Sequence, residues 1–192
     1  MLRVREELEA AYRLRYEVFV IEQGDKPDLA EMPEHAVCDF ESRGMWEELV
    51  DPISSIYGTF GRNNDLTGTL RSQRVSDGVS PTIALLFQQA GIVVEVPHLT
   101  SICSRFVFRK DWRGTRQPMK LLTHVYRKEY EIGTIRGYLV VEPKYEQIYL
   151  RLGYTLASEK YVVDPTAASP VRILTLDLLA DTLCQRIAMG RK

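Results

Sequence analysis

Along residues 5–21, Leu8, Ala11, Tyr12, Arg15 and Phe19 fall near one helical stripe, while Glu6, Glu7 and Glu9 crowd its start. This spacing predicts an amphipathic helix with acidic groups at the positive end of its dipole, ended by Gln23-Gly24. Asp25 to Glu34, holding Pro27 and Pro33, reads as loop or a short irregular helix. His35 to Glu41 alternates, with Val37 and Phe40 inward, and predicts a short strand; Ser42 to Pro52 reads as a polar turn or insertion. Two β-branched and aromatic runs, 54–60 and 66–75, flank Gly61-Arg62-Asn63-Asn64-Asp65 and predict an antiparallel hairpin, with bulges near Gly58 and Gly68. Pro81 to Gln89 predicts a short helix capped by Ser80. The stretch Ser101 to His124 then runs from an apolar strand ending in Phe106-Val107-Phe108, through a charged turn containing Gly114, into a periodic segment opening at Pro118. Ile135 to Glu142 is a nearly continuous apolar run, hence a buried strand. A short helix from Pro143 to Leu152 closed by Gly153, strands at Tyr154 to Val163 and Val171 to Leu178, and a terminal helix from Leu179 to Met189 complete the pattern.

Strands joined through helices call for parallel pairing at the centre, and hairpins for antiparallel flanks. The expectation is an α/β fold with a mixed, mostly antiparallel central sheet flanked by helices, built as one domain over residues 1–192. With 45% apolar and 27% charged residues, the composition excludes disordered, collagen-like and coiled-coil classes. A net charge of -1 gives no global reason to expect nucleic acid. The charge is uneven, however: Arg105, Arg109, Lys110, Arg113, Arg116, Lys120, Arg127 and Lys128 crowd the central stretch. No apolar run approaches membrane-spanning length and none of signal-peptide type follows Met1, so a cytoplasmic location is expected. Cys38, Cys103 and Cys184 are odd in number and lack CxxC spacing, which reads as reduced structural thiols with no metal; His35 and Cys38 have ligand-like spacing but no second pair.

The strand-turn-helix around Arg113-Gly114, the buried strand Gly137 to Glu142 and the segment Tyr149-Leu150-Arg151-Leu152-Gly153-Tyr154 together resemble the GNAT superfamily of N-acyltransferases, from Arg5 to about Leu178. The last segment matches the superfamily's Tyr-x-x-x-Gly-aromatic ending. Arg15-x-x-x-Phe19, Asp39, Gly68-Thr69-Leu70-Arg71 and Ser104-Arg105-Phe106 are similar to the pattern of the acyl-homoserine lactone synthases and the long-chain N-acyl amino acid synthases. The C-terminal YLRLGY segment favours the second group. The resemblance implies an acyl carrier protein as donor and partner, its acyl-phosphopantetheine arm serving as co-substrate. The turn carries Asp111 and Arg116 where coenzyme A users of the superfamily have Arg or Gln and Gly or Ala, which points away from the pyrophosphate of acyl-CoA. Ile102 stands where the lactone synthases carry a Glu proposed as base.

The resemblance further implies an N-acyltransferase moving an acyl chain, of long type, from acyl carrier protein or acyl-CoA to the amine of an amino acid or similar small acceptor, with no permanently bound cofactor. Tyr149 is the expected general acid by that resemblance, with aromatic packing as its plain alternative. For the base, Glu95, His98 and Glu142 can be considered, each with an ordinary surface role as its alternative. Main-chain N–H groups of Phe106, Val107 and Phe108 would hold the oxyanion. Arg15, Phe19, Asp39, Arg71 and Arg105 form the acceptor set, and if buried the charges among them must pair as Arg with carboxylate. Arg113, Gly114, Thr115 and Arg116 form the donor set. Phe19, Tyr57, Phe87, Ile102 and Phe106 are candidates for an acyl tunnel or for simple core. The two strands beginning at Ile102 and Ile135 are expected to part at their ends and admit the thioester, and the first strand usual in the superfamily is expected to be vestigial. An acyl-homoserine lactone synthase and a non-catalytic binding module of GNAT fold are the alternatives.

Overall fold

The computed structural model describes residues 1–26, 29–37, 40–165 and 170–190. Among these residues six strands form one sheet in the order β1-β2-β3-β4-β6-β5. They are β1 (Ser55–Phe60), β2 (Leu66–Arg74), β3 (Thr100–Phe108), β4 (Arg136–Val141), β5 (Thr155–Leu156) and β6 (Arg172–Asp177). The β3–β4 pair is parallel and every other pair antiparallel. The helices are α1 (Arg5–Arg15), α2 (Glu34–Val37), α3 (Phe40–Arg43), α4 (Pro81–Ala90), α5 (Gln117–Glu131), α6 (Pro143–Arg151) and α7 (Leu183–Met189).

Alternation along the strands builds two cores on opposite faces of the sheet. On one face Ile83, Leu86 and Phe87 of α4 pack on Ile102, Tyr138 and Ile173, and Ala11, Leu14 and Val18 pack on Ile56, Leu66 and Val107. On the other, Leu121, Leu122, Val125 and Tyr126 of α5 cover Leu70, Leu139 and Leu174, with Leu152 after α6 and Cys184 of α7 beside them. The cap read from the sequence forms at α4, where the Ser80 hydroxyl accepts from Ile83 N, and the structure ends that helix at Gly91, φ +67°. The buried Glu31 carboxylate accepts from Thr82 N in the same first turn. Among the described residues no strand stands before α1; Leu2 N donates a single bond to Ile56 O at 2.7 Å.

Three expectations are corrected. No strand forms across 35–41 among the described residues: Glu34–Val37 and Phe40–Arg43 are helical turns, the first anchored on the Pro33 carbonyl, which accepts from Ala36 N and Val37 N. Pro33 followed by charged residues is a helix-start signal that outweighs a weak alternation. The strand expected over 154–163 shrinks to Thr155–Leu156 plus one bridge, Val162 to Val171, because Ser158, Glu159 and Lys160 interrupt it. The segment 42–52 is no polar insertion: Met45, Trp46, Glu48, Val50 and Asp51 are all buried. The first helix ends where the sequence placed its end, at Gln23, but its second part, Tyr16 to Glu22, is wound as a π-helix.

Candidate functional site

The ladder between β3 and β4 runs only from Thr100↔Arg136 to Cys103↔Leu139. Beyond it, Ser104, Val107 and Phe108 stay paired with β2 while Val140 and Val141 pair with β6, so β3 and β4 part at their C-terminal ends. Arg105 is the hinge. It sits at φ +54°, a conformation rare for a side-chain-bearing residue, and the register with β2 shifts there by one residue. The bulge re-aims the side chains: Cys103, Phe106 and Phe108 pack on the α5 side, while Ser104 and Arg105 both turn to the other side. Without the extra residue Phe106 would face away from α5 and Arg105 toward it.

Arg105, turned this way, completes a buried ionic network. Arg15 Nη1 donates to Asp51 Oδ2 at 2.8 Å, and Arg71 Nη1 donates to Glu48 Oε2 at 2.6 Å and Asp51 Oδ1 at 3.1 Å. Arg105 grips Glu48 with two donors, Nε at 2.8 Å and Nη2. Arg71 Nε also donates to Ser104 Oγ at 3.0 Å, tying β2 to the bulge. The Arg105 guanidinium lies 5.0 Å from the Trp46 ring centroid and 5.5 Å from that of Phe19. Burial pushes the Glu48 carboxyl up, but the charges of Arg105 and Arg71 outweigh it and hold the group well below the usual carboxylate range. The expected pairing of core arginines with carboxylate is thus present, with partners the sequence reading missed, Glu48 and Asp51. Their signal was there: three arginines on core elements require nearby carboxylates, and Glu48 and Asp51 flank the apolar Val50 in a segment led by Trp46. Asp39 lies outside the described residues, as does Cys38.

On the α5 side of the gap, Tyr149 of α6 packs on the same core as Cys103 and Phe106, with its ring 5.5 Å from Tyr154. Burial, reinforced by the nearby Cys103 and Tyr145, raises its phenol above the ordinary value and keeps it protonated. Phe106 and Phe108 stack edge to face at 5.5 Å, and Val107 faces the α1 core. Glu142, half-buried at the end of β4, pairs with Lys144 at 2.7 Å. Glu95 is exposed, and the structure places it, like His98, before Thr100, at the paired end of β3 and away from the gap. Ile102, 1% exposed, belongs to the α4 core. The tunnel candidates are likewise divided: Tyr57 and Phe106 go to the α5 core, Phe87 and Ile102 to the α4 core, and Phe19 to the α1 and Trp46 clusters.

The turn after β3 stands at the same open end. Arg113 Nε donates to the Phe108 carbonyl at 2.8 Å and its Nη2 pairs with Glu22 at 2.5 Å, fastening the turn to the π-helix. Thr115 Oγ1 donates to the Trp112 carbonyl and accepts from Gln117 N, while Gly114 has open space where a side chain would stand. Arg116 leads into α5 with its side chain exposed. Beside this turn, Glu17, Arg109, Lys110 and Asp111 line an open cleft of about 610 Å3. Cys103 and Cys184 are free thiols, each pushed up to about 12 by burial, so neither is a nucleophile at neutral pH. Among the described residues no group of side chains has the makings of a metal site, and no helix is long and apolar enough to cross a membrane.

No family model matches the sequence, and no curated protein does. Solved structures do. FeeM, an N-acyl amino acid synthase from uncultured soil microbes, aligns with a TM-score of 0.69 over 97% of this chain and 97% of its own, at 17% identity. BjaI, a CoA-dependent acyl-homoserine lactone synthase with SAM and isopentyl-CoA, aligns at 0.68 over 97% and 84%, at 17% identity. An acetyltransferase of the GNAT family from Staphylococcus aureus Mu50 aligns at 0.61 over 93% and 97%, at 14% identity. The chain therefore adopts the GNAT fold, the fold shared by N-acetyltransferases, acyl-homoserine lactone synthases and N-acyl amino acid synthases.

Proposed function

We propose that this chain is an N-acyltransferase that moves an acyl group from a phosphopantetheine thioester to the amine of an amino-acid-like acceptor. The observation that carries the reading is the separation of β3 from β4 after Cys103↔Leu139, with Tyr149 packed against the same core as Phe106 beside the gap. The pantetheine arm would lie in the gap, with its phosphate at the turn Arg113-Gly114-Thr115-Arg116 and the start of α5, where backbone N–H groups and basic side chains favour an anion. Acyl carrier protein and acyl-CoA share that arm. The likeness to the CoA-dependent BjaI supports coenzyme A alongside the carrier protein that the sequence resemblance implied.

In this reading the neutral amine attacks the thioester carbonyl carbon, forming the C–N bond. The oxyanion is held by main-chain N–H groups among Phe106 to Phe108 that face the gap. As the C–S bond breaks, the Tyr149 phenol gives its proton to the departing thiolate, while Glu142 takes the amine proton through water. Glu95 has no part, standing at the closed end of the strand pair. The acceptor sits on the opposite face, toward Arg105, Trp46 and Phe19; the network of Arg15, Arg71, Glu48 and Asp51 holds Arg105 in its bulge so that its guanidinium presents a face to the acceptor. The lactone-synthase reading has Ile102 against it, a buried hydrocarbon where the resemblance has a carboxylate base.

Incubation of the purified protein with acyl-CoA or acyl-carrier protein and a pool of amino acids, followed by mass spectrometry, tests the proposal. An N-acyl amino acid is the expected product. A lactone formed only when S-adenosylmethionine is supplied would select the other synthase chemistry, and no amide from either donor would reject transfer in favour of a binding module.

A further inference from the structure

The α5 face of the sheet holds a small cavity beneath the paired stretch of β3 and β4, reaching from Ser101 and Gly137 to Cys103, where the pairing ends. Cys103 and Gly137 of the strands, Tyr154, and Leu122, Val125 and Glu129 of α5 line it, and its volume of about 20 Å3 has room for about one water-sized group. Cys103 is both a wall of this cavity and the last paired residue of β3, and it shares its core with Phe106 and Tyr149. The cavity therefore lies behind the gap, beneath the paired strands, with Cys103 between the two.

Its walls are largely apolar except at Glu129 and Ser101. The Glu129 side chain is 4% exposed and has no ion pair among the described residues. Glu129 Oε1 accepts from Ser72 Oγ at 2.7 Å and Oε2 from Thr134 Oγ1 at 2.8 Å. A carboxylate buried without a cation is costly in a purely structural core, and hydrocarbon pressed against it adds to that cost. Gly137, opposite Ser101 in the ladder, leaves the space open: a Cβ there would meet only Leu178 Cδ1, at 3.5 Å.

We propose that this cavity is the inner end of the acyl subsite and that Glu129 sets the chain length, admitting a short acyl group and turning away a long one. The proposal rests on the acyl-transfer reading above and departs from the long chain that the sequence resemblance implied. Each methylene buried along Tyr154, Leu122 and Val125 favours binding by about fourfold. Once the chain end reaches the carboxylate, the next methylene must displace its hydrogen-bonded surroundings, and binding falls.

The test is calorimetric binding of S-alkyl pantetheine thioethers, from ethyl to dodecyl, which cannot react and so report the subsite without turnover. Affinity for the wild-type chain is expected to peak at a short alkyl group and fall beyond it. Glu129→Ala should move the peak longer by about two methylenes, since it removes the blocking atoms. Gly137→Ala should move it shorter by about one, and needs no rearrangement of Glu129, Ser72 or Thr134. Circular dichroism confirms that each variant is folded, and Gly137→Ala keeps the test open should Glu129→Ala fail to fold. Binding with a length profile that neither folded variant shifts, or one that rises through dodecyl, overturns the role of Glu129 and leaves acyl transfer standing. Absence of binding at every length overturns the donor gap itself, and this proposal with it.

Discussion

The strands β3 and β4 are two different structures along one pair. From Thr100 to Cys103 they are bonded in register with Arg136 to Leu139, and Ile102 and Tyr138 disappear into the α4 core. From Ser104 onward β3 bulges at Arg105 and parts from β4, which stays paired with β6, and Ser104, Arg105 and Phe106 are only half-buried. Both halves come from similar β-forming sequence. What differs is the support: hydrocarbon on the paired half, and a charged network on the parted half that holds one residue in left-handed geometry. A closed sheet needs only alternating apolar residues, whereas an opening in it has to be held by groups with direction.

The largest expected effect breaks the parted half. Glu48→Ala leaves Arg71 and Arg105 without their shared carboxylate, and loss of one partner of a buried pair costs about 3–5 kcal/mol; chemical denaturation measures it. A cost below about 1 kcal/mol would mean the network does not hold the bulge. The same carboxyl gives a pH signature. Because its folded pKa is depressed, its contribution is fully present above its unfolded value of roughly 4.3 and is lost as pH falls through the folded one. Stability of the wild-type chain should therefore fall below about pH 4 more steeply than that of Glu48→Gln.

Tyr149→Phe leaves the packing on Tyr154 in place and removes one hydroxyl. On the proposed mechanism this change should lower kcat about a hundredfold or more, with little change in melting temperature. Equal activity in both proteins would return Tyr149 to the role of a packing residue. Gly68→Ala probes the junction between β2 and the bulge, since a Cβ there would overlap the Phe108 ring. Moving Phe108 also moves Phe106, so a cost of about 1–3 kcal/mol should come with weaker donor binding. The smallest effect belongs to the paired half. Ser80→Ala removes the cap of α4 and should cost about 1 kcal/mol without altering turnover; a fall in kcat as well would show that the two halves are not independent.

The paired half was the legible one. The hairpin, the Ser80 cap, the buried strand at Ile135 and the glycine closing α6 rest on local spacing, and each stands where the pattern put it. The parted half was visible only as fragments. Arg15, Arg71 and Arg105 stood out because charge on core elements is unusual, yet the partners read as a polar insertion, 42–52, that carries the network's two carboxylates. Glu95 shows another side of this: near in sequence to the central strand, it lies at the paired end and not at the parted one. Distance along a strand reverses the meaning of a residue, and spacing alone does not say at which end the sheet opens.

By itself the sequence determined the hairpin, α4, β3, α5, β4 and α6, in that order, and the mixed sheet, because helix caps, turn glycines and apolar periods act within a few residues of where they are written. Only the tertiary structure decided that Arg105 turns away from α5 while Phe106 turns toward it, that Glu48 and Asp51 meet arginines from three separate segments, and that Glu129 closes the space beyond Cys103. Those pairings join residues 20 to 57 positions apart. They are selected by the cost of burying an unpaired charge, which depends on what the whole fold brings near it.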